Sequence, residues 1–377
     1  MGIVKTMVFL YFCDINTNEQ MKKTLFIFLV ALMALAACDS NGDEPGKGKL
    51  PRILMEIYTG KQYLIYDNDG KLVYECPETY GIVNMTAEGK NWYGVLLSNS
   101  DSVYRVLKNG KPVFTTPYEV KSLCVENGDI YTLQWDKAPD FKYTEHYTAR
   151  IFKNESQLYE YDSEEICIYD LSVDHGDLIA KAWYYGKYGK PTYWINGKMY
   201  TLPINKDYAP ISHIVKNGKD TLAILGGYSN EPLYWWMNGE THPLPNGFSF
   251  YTGVHFTYPG QQIALGNGVP YMVGYINNKG LTMMINGQEY QLNTQYYNVV
   301  RKVQRLGSDV YTLTTRLDYF PPDGNTRIFK GAEQIEINSK VYIPNVRYPG
   351  NGCIYNQGGD TVKLTDFSVQ DFAVLDR

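Results

Sequence analysis

The chain has little of what most catalytic and nucleic-acid signatures require. Its 377 residues hold five histidines, His146, His175, His213, His242 and His255, and no two lie at the spacing of a metal site. Six cysteines occur without a C-x-x-C pair, so neither a zinc knuckle nor a dithiol redox centre is expected. No G-x-S-x-G, Walker loop or H-E-x-x-H is present, which leaves nucleophilic, nucleotide and zinc-peptidase readings without support. A net charge of -5 argues against the basic face that phosphate backbones need, so no nucleic-acid partner is expected. Helical periodicity is scarce beyond the N-terminus. No cofactor and no metal are expected.

What the chain does have is aromatic residues, at 15%, with 35 tyrosines, and a short motif that returns along its length. The clearest copy is Tyr193-Trp194-Ile195-Asn196-Gly197-Lys198-Met199-Tyr200-Thr201-Leu202. It reads as two strands joined by a type I′ turn, because Asn-Gly tolerates positive φ at both central positions and the flanks suit a half-buried pleat. Equivalent turns fall at Asp69-Gly70, Asn109-Gly110, Asn154-Glu155, Asn238-Gly239, Asn286-Gly287 and Lys330-Gly331. The spacing is about 43 residues, a period that belongs to blades of four strands. Two further strands precede each hairpin, as in Asp129–Trp135, Asp177–Trp183 and Asp309–Leu313, each following a glycine-containing turn.

The fold expected is therefore an all-β propeller of four-stranded blades, seven preferred and eight possible, over residues 51–377. Ile53 to Glu75 supply only the last strands of a blade, so a C-terminal segment must close the ring. Val346 to Gly350 would do so with seven blades, and Asp366 to Leu375 with eight. Mature thiols Cys76, Cys124, Cys167 and Cys353 lie in apolar strand contexts and are expected to be buried and free.

The N-terminus reads as an address. Met21-Lys22-Lys23, an apolar run from Thr24 to Ala34, and the small residues before Cys38 make a secretory signal, with Met21 as the start and residues 1–20 as an upstream extension. Leu35-Ala36-Ala37-Cys38 resembles the lipobox of bacterial lipoproteins, which implies cleavage after residue 37 and acylation of Cys38. Residues 38–50 are glycine, proline and charge, a flexible tether. Asp39, Asp43 and Glu44 are similar to the export signal of Bacteroidetes-type lipoproteins, which implies an outer-membrane protein, with the cell surface favoured over the periplasm. The blade pattern, Asp-x-Tyr followed by aromatic-x-Asn-Gly, also resembles lipoprotein propellers. That resemblance implies fold and compartment rather than activity.

Turns between first and second strands and between third and fourth share one face of such a ring, and they are short. The opposite face carries longer connections, where binding usually sits. These hold Trp135, Tyr143, His146, Tyr147, Trp183, Tyr184, Tyr185, Tyr188, Tyr228, Tyr275, Tyr319 and Phe320 beside Asp136, Asp140, Glu145, Glu231, Asp318 and Asp323. Rings next to carboxylates suit sugars, whose C–H faces stack while their hydroxyls find hydrogen-bond partners. At least half of these tyrosines and tryptophans are expected to be packing between blades. The ligand-binding candidates are Tyr143, His146, Trp183, Tyr184, Tyr185, Tyr188, Tyr228 and Tyr319.

No catalytic residue is assigned. The expected function is a noncatalytic envelope lipoprotein, held to a membrane by its lipid, whose propeller binds a glycan or an envelope protein. The alternatives are a glycan-cleaving hydrolase or lyase with carboxylates in the propeller funnel, and a structural subunit of an outer-membrane uptake complex.

Overall fold

The computed structural model describes residues 51–376 apart from 59–62, 78–81, 98–102, 138–146, 163–164, 185–190, 205–210, 227–232, 251–261, 277–278, 293–297, 317–326, 336–350, 356–360 and 366–367. Cys38 and the tether lie outside the described residues. Seven four-stranded antiparallel sheets follow one another in a ring, the seven-bladed propeller that the repeat predicts. Blade 2 (Ile82–Glu88, Asn91–Leu97, Tyr104–Lys108, Lys111–Thr116) shows the plan: the first strand lies innermost and each later one farther out. Blades 3, 4 and 5 begin with inner strands Glu119–Glu126, Ile166–Asp174 and Ile211–Asn217. Blade 7 begins with Asn298–Leu306. In blade 6 the inner strand comes in two pieces, Phe248–Ser249 and Ile263–Gly266, both paired to Val269–Ile276.

Ring closure differs in one respect from the sequence reading. Ser368–Leu375 supplies the inner strand of blade 1 and pairs with Arg52–Tyr58, yet the blade count is seven rather than eight. The extra C-terminal length is taken up by a separate hairpin, Asn351–Tyr355 with Thr361–Thr365. Val346 to Gly350 lie outside the described residues. Closing strand and neighbours are tied by side chains: Gln304 pairs with both the N–H and the carbonyl of Val374, at 3.0 and 3.2 Å. Lys302 donates to Asp371 at 3.2 Å and to the carbonyls of Met85 and Phe372. Asp371 also accepts the Met85 N–H at 2.7 Å.

The recurring asparagine has a physical explanation. Asn196 sits at φ 46° and accepts the Leu178 N–H through its side-chain oxygen at 2.8 Å, while its amide donates to Asp177 at 2.8 Å. Its backbone N–H reaches the Leu178 carbonyl. Asn154 and Asn238 make the same side-chain bonds to Ile130 and Asp129, and to Thr221 and Asp220. The motif's Asp and Asn thus clamp the third-to-fourth turn onto the start of the second strand. In blade 7 a Lys330–Asp309 ion pair at 2.8 Å takes its place. The glycine after the asparagine is needed twice over: Gly197 lies at φ 87°, and a Cβ there would meet the Tyr159 ring of the preceding blade at 2.7 Å.

Packing is concentrated between blades. Tyr131, Leu133 and Ile151 of blade 3 bury against Ile168, Ala180 and fully covered Trp194 of blade 4. The leucine and isoleucines among them each contribute roughly 1.5–3 kcal/mol by leaving water. None of Cys76, Cys124 and Cys167 forms a disulfide; Cys76 and Cys167 are buried and Cys124 half-buried, and burial pushes Cys76 up to about 12. The side chain of Cys353 lies outside the described residues.

Candidate functional site

Every continuous inner strand slips register at the same height. The slips fall between Val83 and Thr86, Val120 and Ser122, Tyr169 and Ser172, Ile211 and His213, and Val300 and Lys302, and in blade 1 opposite Glu56 and Ile57. A bulge leaves residues unpaired and re-aims their side chains. Here it comes midway along the strand that borders the axis, so the channel wall is polar at this level: Asn84, Lys121, Asp170 and Ser212, with Lys302 and Asp371 at the closing seam. Asn84 and Asp170 take φ of 55° and 53°, backbone that side chains other than glycine seldom adopt.

Asp170 keeps exposed surface although it sits mid-strand on the innermost strand of its blade. The solvent it meets there is that of the axial channel. Desolvation of its carboxyl group by the surrounding chain raises it above the usual range, against an opposing effect of the Lys181 ammonium. Lys181 is the cross-strand partner of Tyr169, with its nitrogen 5.4 Å from the centre of that ring. Next along the wall, His213 lies 3.2 Å from the Ser212 hydroxyl and packs on Phe250. Burial first, and Lys181 second, pull the imidazole down to about 3, so it is neutral at physiological pH.

On the other side of Tyr169 stands an aromatic group from blade 3. Trp135 stacks on Tyr147 at 3.9 Å and meets Tyr169 edge-on at 5.3 Å. Lys121, 2.7 Å from Glu119, covers the Trp135 ring at 4.6 Å. The Trp135 indole N–H is buried with no acceptor among the described residues. The Tyr147 hydroxyl is shifted strongly upward, by burial first and then by Cys167 and Tyr169. An arc of rings and polar tips therefore runs across blades 3, 4 and 5. Trp135 and Tyr147 pack against the core between blades 3 and 4 and back the wall, while the polar tips of Lys121, Asp170 and Ser212 supply the donors and acceptors that a small polar ligand needs.

The candidates drawn from the sequence fare unevenly. Trp183 and Tyr184 end the second strand of blade 4, opposite Cys167 and Ile166, with side chains outside the described residues. Tyr143, His146, Tyr185, Tyr188, Tyr228 and Tyr319 lie outside the described residues altogether. Trp135 and Tyr147, named among the loop aromatics, are brought together. Asp170, Lys181, Ser212, Lys121 and Tyr169 were missed. A signal for the bulges was nonetheless present. Buried residues of these inner strands stand three apart where a regular strand requires two: Ile82 and Met85, Val120 and Leu123, Ile168 and Leu171, Ile211 and Ile214, Val300 and Val303.

No family profile and no curated protein matches the chain. Among solved structures it is similar to the beta-propeller domain of the Trilobed protease from Pyrococcus furiosus, at 14% identity over 78% of this chain and 95% of that one, TM-score 0.49. It is also similar to Pyrococcus horikoshii acylaminoacyl peptidase, at 11% identity over 74% of this chain and 48% of that one, TM-score 0.48. A Mycobacterium tuberculosis puromycin-hydrolyzing peptidase matches at 11% over 83% and 58%, TM-score 0.47. The chain spans about half the length of these peptidases. What they cleave is a property of those proteins.

Proposed function

We propose that the propeller is a noncatalytic binding domain that takes a glycan in its axial channel, at the bulge level of blades 3 to 5. The observation that carries this reading is the exposed Asp170 on the inner wall, next to Tyr169 in the chain and under the influence of the Lys181 ammonium, with Trp135 edge-on to Tyr169. A sugar ring needs a flat apolar face for its C–H groups and several charged or neutral hydrogen-bond partners for its hydroxyls. In the same proposal Cys38 is acylated and holds the chain at the outer membrane of a Bacteroidetes-type envelope, facing the cell surface. Support for that part is the Leu35-Ala36-Ala37-Cys38 ending and the tether behind it.

Affinity electrophoresis through gels containing single polysaccharides tests the binding reading. Wild type is expected to be retarded by at least one of them, and a folded D170N/K181M chain to run unretarded. Equal retardation of the two chains excludes the channel as the site. Cys38→Ser is expected to move the protein from the membrane fraction to the soluble one.

A second reading, a glycan-cleaving enzyme, is favoured by one observation. A carboxyl raised above its usual range is what a general acid needs, and Asp170 has that property. Turnover in a polysaccharide digestion screen, lost in D170N, would replace the binding reading with this one. Retention by no polysaccharide, together with co-purification with outer-membrane proteins, would instead favour a structural subunit of an uptake complex.

A further inference from the structure

The turn end of the ring carries a run of hydrogen bonds that joins each of blades 2 to 5 to the blade after it. Glu88 accepts the Gly128 N–H at 2.8 Å, Glu126 accepts Gly176 at 2.6 Å, and Asn217 donates to the Leu265 carbonyl at 3.3 Å. Asp174 is the member between blades 4 and 5, through the Gly218 N–H. One contact leaves this pattern. Arg305, at the end of the inner strand of blade 7, donates to the other oxygen of Asp174 at 2.9 Å. Blades 7 and 4 are three positions apart, the greatest separation that a ring of seven allows, so the arginine crosses the axis.

We infer that the axial channel is a well with a floor made by the Arg305–Asp174 pair. It is closed at the turn end, and on the glycan reading above it admits the end of a chain and not the interior of a polymer. The floor is anchored at the far side: Asp174 is 4% exposed and bonds to His175 Nδ1 at 2.8 Å as well as to Gly218 and Arg305. A charge-assisted bond to a buried carboxylate holds a long side chain in place. Asp170 lies four residues earlier on the same strand, so the wall rises about 13 Å from floor to bulge level. That depth is on the order of two to three sugar rings. The well thus reads the terminus that enters it.

The floor is tested without any glycan. Ser212→Cys, on the wall, is labelled with bimane in the full chain, with the unsubstituted chain reporting background from the buried native thiols. Quenching by acrylamide, a neutral probe, is then compared with and without R305A. With one entrance becoming two, the quenching constant is expected to rise about two-fold. An unchanged or lower constant in the folded variant overturns the floor. R305M, which loses the tether but fills much of the space, must give a smaller rise, and it serves alone if R305A does not fold. A polysaccharide retained in the electrophoresis gives the second arm. Partial hydrolysis should raise its competition per unit mass in proportion to new chain ends, and constant competition per unit mass would contradict end recognition. Retention by none of the polysaccharides removes the glycan reading, and the acrylamide result still decides the floor.

Discussion

Two levels of the same blades behave in opposite ways. At the turn end the blades copy one another: Asn154, Asn196 and Asn238 make the same pair of side-chain bonds, and the carboxylates Glu88, Glu126 and Asp174 all cap the next blade's turn. At the bulge level the backbone event repeats but the residue does not, giving Asn84, Lys121, Asp170 and Ser212 in successive blades. Repetition of a residue marks a job that every blade needs done, which is stability. Variation at a conserved backbone feature marks positions released from that job, where a ligand can be recognised.

The comparison can be broken first at the closing seam, where a bulge-level residue does hold the ring together. Lys302→Met removes the cation shared by Asp371 and two carbonyls and leaves buried Glu56 beside an unpaired carboxylate. A loss of about 3 kcal/mol or more is expected in thermal unfolding. Next comes the turn clamp. Asn196→Ala forfeits two side-chain bonds and the local polar bonding that lets asparagine hold φ 46°, for an expected loss of about 2–4 kcal/mol with glycan binding intact once folded.

Smaller effects sharpen the comparison through pH. Burial raises Glu56 well above its ordinary value of 4.5, with the Ile82 N–H opposing and Asp371 adding to the rise. The folded state therefore favours the protonated acid, and its stability contribution is lost as pH climbs from 4.5 through the raised value. Glu56→Gln, which can still accept the Ile82 N–H, should gain on wild type as pH rises through that window, read as the difference in Tm. His213 behaves in reverse. Its folded value of about 3 against 6.5 means stability is present above 6.5 and lost as pH falls toward 3. H213Q should flatten that acid limb and leave the neutral Tm nearly unchanged.

The fold was legible because its clamp is made of one residue type in one place, Asn at the turn with Asp at the strand start, and such a pattern survives in a linear sequence. Blade number was legible too, but the closing strand was not assigned correctly. A spare hairpin, Asn351–Tyr355 with Thr361–Thr365, lengthens the C-terminal segment without adding a blade. The site was mostly illegible for a related reason. Tyr169, Asp170 and Lys181 come together through a one-residue slip and a cross-strand pairing, and neither leaves a shared residue type. Aromatic content pointed instead to the loops, and of those rings Trp135 and Tyr147 pack on each other against the core between blades 3 and 4.

The most direct test sets the two levels against each other on one glycan array, with wild type, D170N and N196G measured for binding and for Tm. N196G keeps the positive φ but loses the clamp, so a lowered Tm with unchanged glycan binding is predicted, against an unchanged Tm and lost binding for D170N. The reverse assignment, binding lost with the clamp and kept without Asp170, would contradict the account.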